Sequence, residues 1–290
     1  MNSEEKVFFN KVSIMGVGLI GASFALALKK RGLCGSVTGF GRNGSNLLKA
    51  GERGIIDSFD LDPVRASADS DLVLFAMHAG SFTETAKRIA GSLKQGAVVT
   101  DVGSVKGSLV YELENILSPQ ASFVGAHPIA GGEKSGIDTA DAELFQGRRC
   151  IITPTGKTDK TAVEMMAALW QSLGAEVVFM SPEEHDRVLG AVSHLPHIIA
   201  YEMVNAAGEI DESCLKYSGA GFRDVTRIAS SSPELWRDVC MLNKGNLIHF
   251  VDVFIRRLEA VRGYMASDDA ESLEEDFRKA KTLRDGLGQD

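Results

Sequence analysis

The sequence predicts a doubly wound α/β sheet followed by an all-α helical dimerisation domain. Short runs rich in Val and Ile alternate with helical patterns from Lys11 to about Met180, which is typical of βαβ units on a parallel sheet. A glycine-rich turn separates the first of these runs from the first helical pattern. Beyond residue 181, almost every apolar pattern has helical spacing. These three observations indicate an α/β half and then a helical half.

The predicted strands are short apolar runs bounded by turn residues. They are Val12–Met15, Val37–Phe40, Leu72–Met77, Ala97–Asp101, Ser122–Gly125, Arg149–Thr153 and Glu176–Phe179. Gly32, Gly51, Gly91 and Gly174 each follow a helical stretch, where a left-handed C-cap favours glycine. The strand and cap signals therefore agree along the first half of the chain.

A change of character near residue 181 marks the predicted domain boundary. The run Ser181-Pro-Glu-Glu184 has the pattern of a capping box that opens a helix. From Glu234 to about Met265, apolar residues cover several faces of a predicted helix, which must be buried in a bundle or against another subunit. We therefore predict an α/β domain over residues 1–181 and a helical domain over residues 182–290, through which the chain forms a homodimer.

The composition indicates a soluble protein that does not bind nucleic acid. The 290 residues include 39 acidic and 31 basic side chains, and the formal net charge of −8 disfavours a nucleic-acid partner. The four widely spaced cysteines form no CxxC pair, which disfavours a zinc site and fits a reducing cytoplasm. The chain shows no signal-peptide pattern and no run near the ~18 apolar residues that span a bilayer. We expect a cytoplasmic protein without a bound metal.

The glycine-rich turn has the spacing of a dinucleotide-binding motif. Gly16, Gly18 and Gly21 stand at GxGxxG spacing, with Leu19 and Ile20 between the last two. In the Rossmann fold the first glycine permits a tight turn, the second lets the backbone approach a pyrophosphate, and the third lets helix pack on strand. The position between a strand and a helix therefore predicts a site for NAD or NADP.

The choice between the two cofactors stays open. The acidic residue expected ~20 residues after the motif, which would bind the ribose 2′-hydroxyl, is absent from the sequence. Arg42 and Asn43 follow the second strand instead. Arg42 either holds the 2′-phosphate of NADP or stacks on the adenine and leaves NAD acceptable.

Polar residues follow two later strands, at the edge where doubly wound sheets bind ligands. Asp101 and Ser104 lie in the run Asp101-Val-Gly-Ser104-Val-Lys106, and His127 follows the next strand. A histidine there suits the role of a base, because its usual pKa lies near neutrality. A histidine at a strand end is by itself more often structural, so the assignment needs further residues.

Two polar segments of the helical half supply such residues. The run Ser193-His194-Leu-Pro-His197 interrupts a helix with proline, and Asp224 and Arg227 precede Trp236. Taken alone, the first is a kinked helix and the second a surface ion pair. Beside a cofactor domain, they predict a site for a small substrate.

Five motifs occur in a fixed order between about residues 11 and 240: GxGLIGxS, DVGSVK, HPIAGxExSG, SHLPH and GFRDxTRIAxSxPxLW. In this set the chain resembles the prephenate and arogenate dehydrogenases of tyrosine biosynthesis, the TyrA family. The resemblance implies an N-terminal Rossmann domain, a helical dimerisation domain and an active site between them. It also implies NAD(P)-dependent oxidative decarboxylation of prephenate, arogenate or both, in which the nicotinamide takes a hydride and an aromatic phenol forms.

The resemblance also implies roles for single residues. His127 would accept the hydroxyl proton of the substrate, and Ser104 would hydrogen-bond the same oxygen. Arg227 would pair with a substrate carboxylate and be oriented by Asp224. The other matches lie around the substrate, and they are Ser193, His197, Trp236 and, at the entrance, Glu133.

His78, after the third predicted strand, and the missing ribose acid depart from the family pattern. We interpret His78 as a loop residue without catalytic function. Two other hypotheses are a β-hydroxyacid dehydrogenase or imine reductase and a non-catalytic dinucleotide sensor. The first usually carries a catalytic lysine, which has no equivalent beside SHLPH, and the second has no need of His127, Ser104 or Arg227. The accepted side chain, pyruvyl or alanyl, stays open.

Overall fold

The computed structural model describes residues 8–131 and 136–287. Their contacts divide them into two compact units, one ending at Lys244 and one beginning at Gly245. This division is one of packing, so the domain boundary near residue 181 stays a prediction. Within the described ranges, no helix combines the length and apolar character needed to cross a membrane.

The described part of the first unit is built on an eight-stranded sheet. In chain order the strands are β1 (Phe9–Met15), β2 (Cys34–Phe40), β3 (Ser58–Asp60), β4 (Leu72–Phe75), β5 (Ala97–Asp101), β6 (Ala121–Pro128), β7 (Arg149–Thr153) and β8 (Glu176–Phe179). The spatial order is β3-β2-β1-β4-β5-β6-β7-β8, and neighbours are parallel except β6 and β7. The chain changes direction across the sheet between β1 and β4, which is the switch point of a doubly wound fold. The predicted fold class is confirmed.

α-Helices follow most of the strands, and together with shorter helical turns they make up most of the described chain after β8. They are α1 (Leu19–Arg31), α2 (Gly44–Glu52), α3 (Pro63–Ser67), α4 (Phe82–Ile89), α5 (Gly107–Leu117), α6 (Lys160–Ser172), α7 (Pro182–Leu189), α8 (Leu195–Asp211), α9 (Ala220–Thr226), α10 (Pro233–Leu242), α11 (Lys244–Ala266) and α12 (Ala270–Asp285). Gly32 and Gly174 have the positive φ expected after α1 and α6. Gly51 instead lies inside α2, and Gly91 lies in a 3-10 turn, so these two cap predictions were wrong.

Buried side chains form separate cores on the two faces of the sheet. Ile14 and Leu74 belong to the core that contains Trp170 of α6, whereas their chain neighbours Met15 and Phe75 belong to the other core. Successive residues of a strand point to opposite faces, so this alternation shows that helices cover both faces. The loops at the carboxyl ends of the parallel strands are left to form a site.

α7 begins at the cap that the sequence predicts. Ser181 Oγ accepts a hydrogen bond from the Glu184 N–H at 3.1 Å, and Pro182 occupies the first turn. Between α7 and α8, residues Gly190–His194 form a π-helical turn. The predicted interruption of the long helix is therefore a widened turn before the proline, and His194 within it is fully buried.

The second unit contains α12 and the part of α11 from Gly245 onward. An ion pair between Arg257 and Asp276 joins the two helices. Large apolar side chains are nevertheless exposed on both of them, namely Ile248, Val253, Ile255, Leu258, Met265, Phe277 and Leu283. Exposed apolar surface of this kind favours association with another chain.

Candidate active site

The GxGxxG turn joins β1 to α1, and its glycines are required for different reasons. Gly16 has a φ of 105°, and a Cβ there would lie 2.6 Å from the carbonyl carbon of Ala76. A Cβ on Gly21 would lie 2.2 Å from the carbonyl oxygen of Gly16. A Cβ on Gly18 would have no atom of the described residues within 4 Å. Packing thus demands the first and third glycines, whereas the second leaves open backbone at the start of α1.

This open turn fits the pyrophosphate of a dinucleotide. Gly18 is the N-cap of α1, so no side chain occupies the N–H groups of the first turn, and that turn contains no acidic residue. Leu19 and Ile20 form the turn, and Ile20 packs against the core. Free N–H groups and the helix dipole both favour a bound anion here. The residues present fit NAD or NADP.

We expect Gly18→Ala to weaken dinucleotide binding without loss of fold. The backbone of Gly18 is extended, at φ −105°, and a methyl group would meet no atom within residues 8–131 and 136–287, so we expect it to crowd only a bound phosphate. The Kd for NAD+ or NADP+ should rise about tenfold, or about 1.4 kcal/mol, in a calorimetric titration. The matched control is Gly51→Ala on α2, where a Cβ also meets nothing. Equal dinucleotide affinities in the two variants would contradict the assignment.

The two residues predicted to lie near the adenosine ribose, Arg42 and Asn43, follow β2 and precede α2. Asn43 Oδ1 accepts hydrogen bonds from the N–H groups of Ser45 at 3.0 Å and of Asn46 at 3.3 Å, and so caps α2. Arg42 is exposed. On the neighbouring strand, both carboxylate oxygens of Asp60 are bound by Arg65. The chemistry of these residues is compatible with both NAD and NADP.

A buried ion pair shapes the loop after β5. The side chains of Lys106 and Asp101 are each 1% exposed and bind one another. Lys106 Nζ also donates to the Gly103 carbonyl at 2.8 Å, and Asp101 accepts from the N–H groups of Gly103 at 2.8 Å and Ala126 at 3.0 Å. Asp101 therefore holds the loop that carries Ser104. The prediction that Asp101 contacts the cofactor gains no support from these bonds.

Three side chains form a hydrogen-bonded chain from β6 into α7. His127 Nδ1 lies 2.8 Å from His185 Nε2, and His185 Nδ1 lies 2.8 Å from Asp186 Oδ1. The same Asp186 oxygen accepts the backbone N–H of Lys106, next to the start of α5, at 2.8 Å. His185 and Asp186 are buried, whereas His127 is only half-buried. A ligand can therefore reach this chain of side chains at His127.

The packing of α7 explains how these polar groups come to be buried. The buried face of α7 consists of Pro182, His185, Asp186 and Leu189, which follow helical spacing. Gly107 makes room for them, since a Cβ there would lie 2.5 Å from Asp186 Oδ2. A histidine and an aspartate at core positions of an amphipathic helix are the signal that sequence reasoning missed, because such positions are normally apolar.

Burial keeps the two linked imidazoles neutral. Burial is the main cause that lowers the pKa of His127 well below its usual 6.5, and the neighbouring His185 and Lys106 lower it further. Burial, together with Lys106 and His194, lowers the pKa of His185 to about 2. Burial also raises the pKa of Asp186 to about 6, against the effect of the Lys106 N–H. Above pH 7 these three hydrogen-bonded side chains are therefore two neutral imidazoles and one carboxylate.

A second set of contacts holds the Ser104 loop from the helical side. His194 Nε2 lies 3.1 Å from the Ser104 carbonyl oxygen, and Asn243 Nδ2 lies 3.1 Å from His194 Nδ1 and 2.9 Å from the Asp186 carbonyl oxygen. Since the Asn243 amide donates to Nδ1, His194 carries its proton on Nε2 and donates it to Ser104. Burial lowers the pKa of His194 to about 4, so the ring stays neutral.

His197 and Trp236 form a wall next to this loop. Their rings are stacked, with centroids 3.6 Å apart and an interplanar angle of 20°. His197 Nδ1 donates to the Ser193 carbonyl at 2.8 Å, which leaves Nε2 without a proton when the ring is neutral. Burial lowers the pKa of His197, and the nearby Arg227 guanidinium lowers it further. The structure thus brings together four predicted substrate-binding residues, which are Ser193, His197, Arg227 and Trp236.

The remaining predicted residues are placed less closely. Asp224 is exposed on α9, one turn before the exposed Arg227. His78 is half-buried in the loop after β4. Glu133 lies outside the described residues. Within residues 8–131 and 136–287, no group of three or more His, Cys, Asp and Glu is arranged to hold a metal ion.

Comparison with known proteins gives a match along nearly the whole chain. Residues 24–179 match the family model "Prephenate dehydrogenase, nucleotide-binding domain", and residues 181–279 match "Prephenate dehydrogenase, dimerization domain". The chain is 36% identical to a prephenate dehydrogenase of Bacillus subtilis, over 95% of this chain and 76% of the relative. It is also 36% identical to a cyclohexadienyl dehydrogenase of Zymomonas mobilis, over 97% of each chain.

A solved structure shows the same fold. The crystal structure of prephenate dehydrogenase from A. aeolicus, in complex with hydroxyphenyl propionate and NAD+, has a TM-score of 0.90 and 39% sequence identity. The similarity covers 97% of this chain and 99% of that chain. Together with the family match, it confirms the predicted NAD(P)-binding class of the α/β half.

Proposed function

Because the chain belongs to the prephenate dehydrogenase family, we propose that it is an NAD(P)-dependent enzyme of tyrosine biosynthesis that oxidatively decarboxylates prephenate, arogenate or both. The observation that carries the proposal is the partly exposed His127, which is hydrogen-bonded through the buried His185 to the buried Asp186. Similarity over nearly the full length supports this activity over a β-hydroxyacid dehydrogenase, an imine reductase or a dinucleotide sensor.

The cofactor would bind at the turn between β1 and α1. The turn that Gly16, Gly18 and Gly21 shape would hold its pyrophosphate against the first turn of α1, and Arg42 and Asn43 would lie near its adenosine ribose. When bound, the nicotinamide ring supplies the hydride acceptor.

His127 would act as the base for the substrate hydroxyl. As hydride leaves the carbinol carbon, the hydroxyl proton passes to His127 Nε2 while the Ser104 hydroxyl holds the oxygen in place. The bond to the ring carboxylate breaks to release CO2, and its electron pair completes the aromatic ring as a phenolate, to which His127 Nε2 returns the proton to give the phenol. A base must be unprotonated to start, and the lowered pKa of His127 supports that state at neutral pH.

The helical side would bind the rest of the substrate. Arg227 would pair with a carboxylate, because a guanidinium gives a charged, bidentate donor set, and Asp224 would orient it. The stacked His197 and Trp236 would form a wall, with Ser193 beside them. These residues suit a small anionic ring compound bearing a pyruvyl or alanyl side chain.

We further propose that the chain forms a homodimer in the cytoplasm through the helical domain of residues 182–290, with residues 1–181 as the cofactor domain. The match of residues 181–279 to a dimerisation-domain model supports the dimer. The exposed apolar side chains of α11 and α12 support it independently, because exposed apolar surface is stabilised when another chain covers it.

A two-by-two assay tests the proposed activity. Purified protein is mixed with prephenate or arogenate and with NAD+ or NADP+, and nicotinamide reduction is followed by absorbance. We expect reduction in at least one combination, and the relative rates give the preferred substrate and cofactor. Four silent combinations from folded protein that binds a dinucleotide would overturn the proposal.

A further inference from the structure

We propose that His185 is a positioning residue that fixes the proton of His127 on Nδ1, keeps Nε2 free to act as the base, and takes up the Nδ1 proton once the base is loaded. The proposal rests on the proposed function of His127. It assigns a role to a side chain of α7 that has no accessible surface and so cannot itself meet a ligand.

The direction of the hydrogen bonds follows from the chemistry of the three groups. An ionised carboxylate can only accept, so His185 Nδ1 must carry a proton and donate it to Asp186 Oδ1. A neutral His185 then has a lone pair on Nε2, to which His127 Nδ1 must donate. In a neutral His127 the proton is thereby on Nδ1, and Nε2 carries the lone pair that a base needs.

The same geometry provides an acceptor, His185 Nε2, for the Nδ1 proton of His127. When His127 Nε2 takes the substrate proton, the ring holds two protons and one positive charge. Transfer of the Nδ1 proton to His185 Nε2 moves that charge one ring inward, to an imidazolium in contact with the Asp186 carboxylate. No bond other than the two N–H bonds changes, and no further reactant is needed. The Asp186 charge lowers the free energy of this state.

Titratable groups around the pair determine the cost of that imidazolium. The charged ones are Lys106 from the loop after β5, Asp101 at the end of β5 and Glu183 from α7, and the neutral titratable ones are His194 from the π-helical turn and the Cys150 thiol from β7. The Lys106 ammonium opposes a positive charge on either ring, and the Asp101 carboxylate that is paired with it acts in the opposite direction. Asp186 is the acid in direct contact with the accepting ring.

The first experiment reads the tautomer of His127 and needs no activity. Protein labelled with 15N at histidine is studied by long-range 1H–15N correlation NMR above pH 7, and the His127 signals are assigned by comparison with His127→Asn. We expect the proton of His127 on Nδ1 and an unprotonated Nε2. A proton on Nε2 would overturn the proposal, even if the protein proves to be an active dehydrogenase.

The second experiment compares two variants of His185. In His185→Gln the amide oxygen still accepts the His127 Nδ1 proton in a hydrogen bond, but the amide cannot take that proton up. In His185→Leu both functions are lost. We expect kcat to fall about tenfold in the Gln variant and about a hundredfold in the Leu variant, within the range of general-base effects. KM and the cofactor Kd should stay within about twofold, as both substitutions are remote from the ligands.

A matched control separates this role from a packing role. Thr153 is also fully buried and lies on β7 opposite Gly125 of β6, and its hydroxyl has no hydrogen-bond partner among the described residues. Thr153→Val should therefore leave kcat unchanged. A kcat for His185→Gln or His185→Leu equal to that of Thr153→Val would overturn the proposal. So would equal losses in the Gln and Leu variants, because these mean that the acceptor for the Nδ1 proton has no effect. If the Leu variant fails to fold, the proposal is still tested by the kcat of His185→Gln and by the tautomer of His127.

Discussion

His127→Asn is expected to lower kcat by about 10² to 10⁴, the range of a lost general base. An asparagine amide has no basic nitrogen, so it cannot take the substrate proton as hydride leaves. Its Nδ2 can still donate to His185 Nε2 in place of the imidazole Nδ1–H, so the chain of hydrogen bonds from β6 to Asp186 is kept. The cofactor Kd and the thermal unfolding temperature should therefore stay close to those of the parent.

The matched control for this change is His249→Asn. His249 is exposed on α11, in the second compact unit, and makes no contact that the proposed chemistry uses. Steady-state rates and dinucleotide titrations of both variants make the comparison. If the kcat of His127→Asn is within about threefold of that of His249→Asn, then His127 is not the base. A difference that small is far below the usual effect of losing a general base.

Lys106→Met is expected to lower the free energy of unfolding by about 3 to 5 kcal/mol, since removing one partner leaves the other charge buried. The Asp101 side chain is 1% exposed, so bulk solvent does not reach the carboxylate that loses its ammonium partner. The Lys106 side chain also donates to the carbonyls of Gly103 and Val105, so the loop around Ser104 loses its internal support. Urea unfolding followed by circular dichroism measures the effect.

A surface ion pair provides the control for this prediction. Lys29 pairs with Asp57 at 2.7 Å, with side-chain exposures of 25% and 47%. Because solvent screens such a pair, Lys29→Met should cost at most about 1 kcal/mol. Equal losses for Lys106→Met and Lys29→Met would mean that the buried pair does not hold the loop. The double variant Lys106→Met with Asp101→Asn should recover part of the loss, because it removes the unpaired charge.

The fold was largely predictable, since seven strands are marked by short apolar runs that local sequence reveals. The exception is β3, Ser58–Asp60, which has three residues and no buried position. It is a strand because β2 offers a free edge, from Thr38 to Phe40, with which it pairs. Such a strand depends on the tertiary structure and leaves no hydrophobic pattern in its own sequence.

The site was predictable only where it lies in motifs. Ser104 and His127 follow strands and so could be placed at the carboxyl edge of the sheet. His185 could not, because its contact with His127 joins residues 58 positions apart and depends on how α7 packs against β6. Asn243 is similar, as it reaches His194 across 49 positions. Their roles arise from side-chain directions that exist only in the folded chain.

The most direct test of the proposed function is the ratio of CO2 released to nicotinamide reduced. Prephenate or arogenate with 13C in the ring carboxylate is incubated with the enzyme and its preferred cofactor, and a blank without enzyme corrects for spontaneous decarboxylation. We predict one labelled CO2 for each nicotinamide reduced, at all times in the reaction, because hydride transfer and loss of the carboxylate together form the aromatic ring. Nicotinamide reduction without release of labelled CO2 would contradict the account, because the protein would then be a simple alcohol dehydrogenase.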